Sequence, residues 1–191
     1  MKAELRPLSR RMLRALYRWE MIPAFPRSER RPLANLLRMC RRGDYDALGT
    51  FQGGMLIGLA LLWRGKDCVL LDYLLVCQGK RGCGRGKAIL AALQERYQAF
   101  PVLVAEVEAP VPGGPEEESQ RRRLEFYRRC GFVSLGYEAR IFGVTYAMLG
   151  LWNGSPRPER AMAGHRALYQ SQLPPEMFRR FIHIPQTEGT R

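Results

Sequence analysis

The sequence predicts an α/β chain of the α+β kind, with a mixed, mostly antiparallel, twisted sheet flanked by helices. Three observations carry the prediction. Hydrophobic periodicity is helical up to about Arg42, becomes strand-like after Gly43, and turns helical again at Gly84. Short polar turns join three consecutive apolar runs in the strand-like part. A glycine-rich loop then separates the third run from the next helix. With 191 residues, the chain is long enough for one domain with a sizeable core and hardly long enough for two.

Taken in order, Leu8, Met12, Leu16 and Trp19 recur at helical intervals, with Pro7 just ahead, where a helix start tolerates proline. Pro23 and Pro26 break the chain, and Ser28 offers an N-cap ahead of Glu29. Leu33, Leu36, Leu37 and Cys40 follow as an apolar stripe, completing two amphipathic helices. Tyr45–Gln52 reads as a strand, Gly53-Gly54 as a hairpin turn, residues 55–63 as a second strand and 68–76 as a third. The continuous apolar character of the second and third places them centrally, covered on both faces. Past Gly84, Ile89, Leu93 and Tyr97 line one helix face until Pro101, and Val102–Glu108 is a β-rich run. A Pro- and Gly-rich loop leads into a helix at 116–130, with Glu116, Glu117 and Glu118 at its positive end and Arg128 and Arg129 at its negative end. Gly131 suits a left-handed C-terminal position, and a hairpin is expected near 138–152. Pro156 and Pro158 set off a helical C-terminal extension, residues 155–191, from a domain at 1–154.

Composition excludes some classes. Hydrophobic residues make up 46%, so the chain is not a disordered tail. The longest apolar runs are too short to span a bilayer, and Lys2, Arg6, Arg10, Arg11 and Arg14 leave no secretory apolar core, so a cytoplasmic protein without membrane insertion is expected. A formal charge of +13 implies an anionic partner: nucleic acid, an acidic membrane surface or a multiply phosphorylated cofactor. The Arg pairs are scattered, so charge alone does not choose. Five cysteines without a C-x-x-C pair, and only His165 and His183, predict reduced thiols and no metal site.

The loop Arg81-Gly82-Cys83-Gly84-Arg85-Gly86 carries the chemical signal. Glycines there allow close backbone approach, and amides at the following helix start attract anions. A mononucleotide P-loop is excluded, because Arg81 stands where the first glycine belongs and Ala88 replaces Ser/Thr. The dinucleotide pattern fails at Lys87, the third glycine position. What fits is the Arg/Gln-x-x-Gly-x-Gly/Ala signature, matched by Arg81, Gly84 and Gly86, so the segment resembles the GNAT superfamily of N-acetyltransferases. Asp72-Tyr73-Leu74-Leu75-Val76 looks like the strand before that loop, and Phe126-Tyr127-Arg128-Arg129-Cys130-Gly131-Phe132 is similar to the end of the family's second cofactor helix. The resemblance covers roughly residues 45–152.

The resemblance implies central strands that splay apart around acetyl-CoA, bound as a co-substrate. It implies that the amides of Arg81, Gly82, Cys83, Gly84, Arg85 and Gly86 hold the pyrophosphate and that backbone groups of Leu75 and Val76 bind pantetheine, a form of β-augmentation. It also makes Tyr127 the general acid beside the CoA sulfur. Glu106 and Glu108, two apart on one strand, share a face, and two carboxylates on a central strand are costly to bury. They read as a general base, acting directly or through water, or as an acidic pocket for a cationic amine. The competing reading is a strand end where they pair with Arg122 or Arg123. Asp72 has a weaker claim. Tyr137 and Tyr146 could line an acceptor pocket, with aromatic packing the stronger reading. Cys83 has no histidine nearby to activate it, and His165 and His183 read as surface residues of the extension. The expected activity is acetyl transfer from acetyl-CoA to a primary amine by direct attack in a ternary complex. The acceptor is a small molecule or peptide, with a weak lean toward a small cationic amine. A nucleic-acid- or ribosome-binding module and a non-catalytic acyl-CoA sensor on the same fold are the alternatives. Monomer and homodimer both stay open.

Overall fold

The computed structural model describes residues 2–185. Its strands and helices make an α/β fold with an open, largely antiparallel sheet flanked by helices. The chain divides into two compact units, one running up to Arg64 and over Leu71–Tyr97, the other comprising Gly65–Leu70 and the chain from Gln98 onward.

In the first unit the strand order is β1 (Glu4–Pro7), β2 (Tyr45–Gln52), β3 (Met55–Arg64) and β4 (Val69–Val76), whose first two residues fall in the second unit. β2 and β3 pair antiparallel from Tyr45↔Trp63 to Gln52↔Met55, and the turn between them is the expected Gly53-Gly54, both at positive φ. Along β3, residues of both parities from Leu59 to Trp63 are buried, so the strand is covered on both faces as its apolar continuity predicts.

β1 was not expected. It pairs antiparallel with β2, so Pro7 ends an edge strand instead of opening a helix. The helix α1 (Arg10–Leu16) begins after Ser9, whose side chain accepts the Met12 amide at 3.2 Å. A π-helical turn (Tyr17–Met21) and the short α2 (Ile22–Ala24) continue it. The late start and the wider turn rotate the buried face onto Leu13, Leu16 and Met21, which leaves Met12 38% and Trp19 68% exposed, against the expected stripe. The helix α3 (Leu33–Arg42) starts at Pro32, not at Ser28, and buries Leu36 and Met39. Ser28 is displaced as a cap because its neighbours are held elsewhere: the Tyr73 hydroxyl donates to the Glu29 carbonyl and accepts the Arg31 amide, each at 2.8 Å. The helix α4 (Arg85–Arg96) follows the glycine loop and buries Ile89, Leu90 and Leu93.

In the second unit the order is β5 (Val102–Glu108), β7 (Val144–Trp152), β6 (Val133–Ile141) and β8 (Ile182–His183), all antiparallel. The helix α5 (Glu117–Arg129) lies between β5 and β6 in sequence. The C-terminal segment forms α6 (Pro158–Gln172) and α7 (Pro175–Phe181), interrupted by Pro174-Pro175, and then supplies β8 to the edge of β6. Leu103, Ala105, Phe132, Leu135, Leu149, Leu168 and Phe178 are among the buried side chains of the second unit. Residues 186–191 of the expected extension lie outside the described residues. No helix among the described residues is long and apolar enough to cross a membrane.

Candidate active site

The predicted site residues fall in both units, and each set is built where it lies. In the first unit, β4 ends at Val76 and the chain enters the loop before α4. Gly82, Cys83 and Gly84 take φ values of 85°, 52° and 71°, a left-handed run that only glycine adopts freely. At this helix start the Arg85 and Ala88 amides find backbone acceptors, at Gly82 and Gly84. The amides of Arg81, Gly82, Cys83, Gly84, Gly86 and Lys87 have no intramolecular acceptor among the described residues. A Cβ added at Gly82 or Gly84 would meet nothing within 4 Å, so the glycines leave an open approach to those amides. Arg81 is exposed, whereas Arg85 turns back to donate to the Lys80 carbonyl at 2.8 Å. Free amides at a helix start beside a fixed cation suit a diphosphate.

The chain is anchored where it leaves β4 for the loop. The Gln78 amide donates to Glu20 Oε2 at 2.9 Å, and the Cys77 amide to the Ile57 carbonyl at 2.9 Å. Just before it, β3 crowds the Leu75–Val76 backbone so closely that a Cβ on Gly58 would stand 2.4 Å from the Leu75 carbonyl oxygen. Asp72 does not face the loop as a free carboxylate. Its side chain is 6% exposed and accepts from Arg31 Nε at 2.8 Å and the Tyr45 hydroxyl at 2.6 Å.

In the second unit, the regular β5–β7 register keeps Glu106 and Glu108 on one face of β5, opposite Met148 and Tyr146. The two carboxylates have different surroundings. Glu108 meets Arg123 of α5 at 3.1 Å, the pairing that the competing sequence reading anticipated. Glu106, with its side chain 9% exposed, accepts on Oε1 from His165 Nε2 and from the Tyr169 hydroxyl, both at 2.8 Å. The Tyr137 hydroxyl lies 3.1 Å from His165 Nδ1. His165 is therefore no surface residue: it is 0% exposed and at the centre of a polar cluster. Sequence reasoning missed it and Tyr169. The usable signal was their spacing, since residues four apart on a helix present one face. His183 is exposed in β8.

Tyr127 is half-buried near the end of α5, its ring edge-on to Phe126 and Phe132 at 5.3 and 5.1 Å. Burial pushes its phenol well above the ordinary value, so the hydroxyl keeps its proton at neutral pH. Cys83 is exposed, whereas burial pushes the Cys77 thiol up to about 11 and the Cys68 thiol, helped by Asp67, up to about 12. A cavity of about 420 Å³ opens beside Val102 and Trp152, at the opposite end of β5 from Glu106 and Glu108.

No family model and no curated protein matches the chain. Solved structures do. A Bacteroides thetaiotaomicron protein described as an acetyltransferase of the GNAT family superposes with a TM-score of 0.72 at 24% identity, over 88% of this chain and 97% of that one. The ribosomal-protein-S18-alanine N-acetyltransferase of Escherichia coli aligns at 0.61 and 18% identity, over 81% and 96%. The spermidine N-acetyltransferase of Vibrio cholerae, solved with CoA and spermine, aligns at 0.60 and 14%, over 80% and 96%. The chain has the GNAT acetyltransferase fold.

Proposed function

We propose that this protein is an acetyl-CoA-dependent N-acetyltransferase acting on a primary amine, and a cytoplasmic one. The observation that supports it most is the set of amides of Arg81, Gly82, Cys83, Gly84, Gly86 and Lys87, without acceptors among the described residues, where α4 opens on a chain with the GNAT fold. In this reading those amides and Arg81 hold the CoA diphosphate, and the backbone of Leu75 and Val76 receives the pantetheine arm. Bound acetyl-CoA supplies the thioester. Glu106 takes a proton from the amine through Oε2, which has no partner among the described residues. The amine nitrogen bonds to the acetyl carbon as the carbon–sulfur bond breaks, and the Tyr127 hydroxyl protonates the departing sulfur. Glu108, paired with Arg123, is the second candidate for the base. Because both carboxylates have partners, the face is less acidic than two free carboxylates would make it, and a peptide amine is as good an acceptor as a small cation.

The test is acetyl-CoA consumption across a panel of polyamines, aminoglycosides and peptide amines, run beside Glu106→Gln and Tyr127→Phe. Turnover with at least one amine, lowered by on the order of 100-fold in either variant, is expected. Absence of acetyl-CoA binding rules the reading out.

A second reading, nucleic-acid binding on the same fold, draws on α1 and the π turn, where Arg10, Arg11, Arg14 and Arg18 are exposed beside Trp19. Salt-dependent RNA binding by a protein that ignores acetyl-CoA favours it.

A further inference from the structure

Resting on the acetyltransferase reading and deepening it, we infer that α6 supplies two positioning residues, His165 and Tyr169, that aim the Glu106 carboxylate. The two stand four apart on α6, stacked on one face of the helix. Both reach the same atom: His165 Nε2 and the Tyr169 hydroxyl each lie 2.8 Å from Glu106 Oε1. Both are buried. A phenol facing a carboxylate oxygen donates to it, and so does an imidazole N–H. Tyr137 of β6, 3.1 Å from His165 Nδ1, fixes the ring from its other side.

Two donors converging on one oxygen fix both the position of the carboxylate and its rotation about the last side-chain torsion. Without them that torsion is broad. The second oxygen, Oε2, has no partner among the described residues, and the side chain keeps a small opening to solvent. One oxygen is thus committed to the scaffold and the other is left for the amine proton. A base held within a fraction of an ångström of its working geometry is what such support provides, and misplacement by about 1 Å costs about 100-fold. The extension after β7 is on this account part of the catalytic apparatus. The other charged group on this face, Glu108, is taken by Arg123 and does not compete for the same donors.

The experiment measures kcat and KM for acetyl-CoA in Tyr169→Phe, His165→Leu and His165→Gln, alone and combined with Glu106→Gln, with thermal unfolding of each. Tyr169→Phe and His165→Leu are expected to lower kcat by roughly 10- to 100-fold and leave the acetyl-CoA KM unchanged. His165→Gln, which keeps an N–H donor, regains part of that loss. In the Glu106→Gln background the same substitutions cost nothing further, because positioning acts only through the carboxylate. A purely structural fastening of α6 predicts losses that follow stability and persist in that background, and this result overturns the inference. Should His165→Leu not fold, Tyr169→Phe, which loses one oxygen, carries the test. The failures are separable. Wild-type protein without acetyl-CoA turnover overturns the acetyltransferase reading and this inference together. Turnover left intact by Glu106→Gln overturns the base and its positioning alone. Turnover lost in Glu106→Gln but unchanged in Tyr169→Phe and His165→Leu overturns only the inference.

Discussion

Gly58→Ala probes the place where β3 presses on the end of β4. The added methyl stands 2.4 Å from the Leu75 carbonyl oxygen, 2.9 Å from Ile89 Cδ1 and 3.3 Å from Val76 Cα, whereas ordinary contact begins at 3.4 Å. The Ile89 side chain can turn away. The Leu75 carbonyl is backbone and can only retreat, by roughly 1 Å, against a packed interior. Overpacking of this kind costs about 1–3 kcal/mol. For a chain of this size that lowers Tm by roughly 2–12 °C. The same shift moves the Leu75–Val76 backbone, to which pantetheine binding is assigned, so the acetyl-CoA KM should rise while kcat at saturation changes less. Thermal unfolding and acetyl-CoA-dependent kinetics on Gly58→Ala provide the assay. A variant with wild-type Tm and wild-type KM refutes the reasoning, since a methyl at that distance cannot be accommodated without movement.

Gly84→Ala makes the opposite case: its Cβ meets nothing within 4 Å, but φ of 71° costs an L-residue roughly 1–2 kcal/mol, so the acetyl-CoA KM should rise several-fold with a small fall in Tm, and an unchanged KM contradicts the cradle. Asp72→Ala removes the shared acceptor of Arg31 and the Tyr45 hydroxyl, so a loss of about 3 kcal/mol is expected by denaturant titration, and a loss below about 1 kcal/mol shows the pair to be screened. Cys68 has a thiol raised by burial, then Asp67, to about 12. A raised acid means the folded state holds its proton longer, so stability is complete below about pH 8.5 and declines as pH climbs toward 12, by up to about 1.4 kcal/mol per unit. Cys68→Ala should flatten part of that decline in urea titrations between about pH 8 and 10, and an identical slope contradicts the assignment.

Elements with a local cause were legible in the sequence. The Gly53-Gly54 turn between β2 and β3, the apolar continuity of β3, and the β-rich run at Val102–Glu108 each follow from their own residues. So does the glycine loop, whose left-handed run and free amides are local properties of residues 81–87. The misreadings share a different origin. β1 is a four-residue edge strand containing Pro7, too short to show alternation, and it exists because β2 offers it an edge. The π turn at Tyr17–Met21 shifted the phase of the first helix and put Trp19 outside. Ser28 lost its cap role to Tyr73, 44 residues from Glu29 in the chain. His165 and Tyr169 meet Glu106 across 59 and 63 residues, and their four-residue spacing reports a shared helix face but not the carboxylate that face meets.

The central claim is that the amides opening α4 hold the CoA diphosphate. The most direct measurement is a titration of ¹⁵N-labelled protein with acetyl-CoA, followed through its backbone amide resonances. The account predicts saturable shifts at Arg81, Gly82, Cys83, Gly84, Gly86 and Lys87, the positions without an acceptor among the described residues. Saturation elsewhere with those six amides unmoved, or no binding at all, contradicts it.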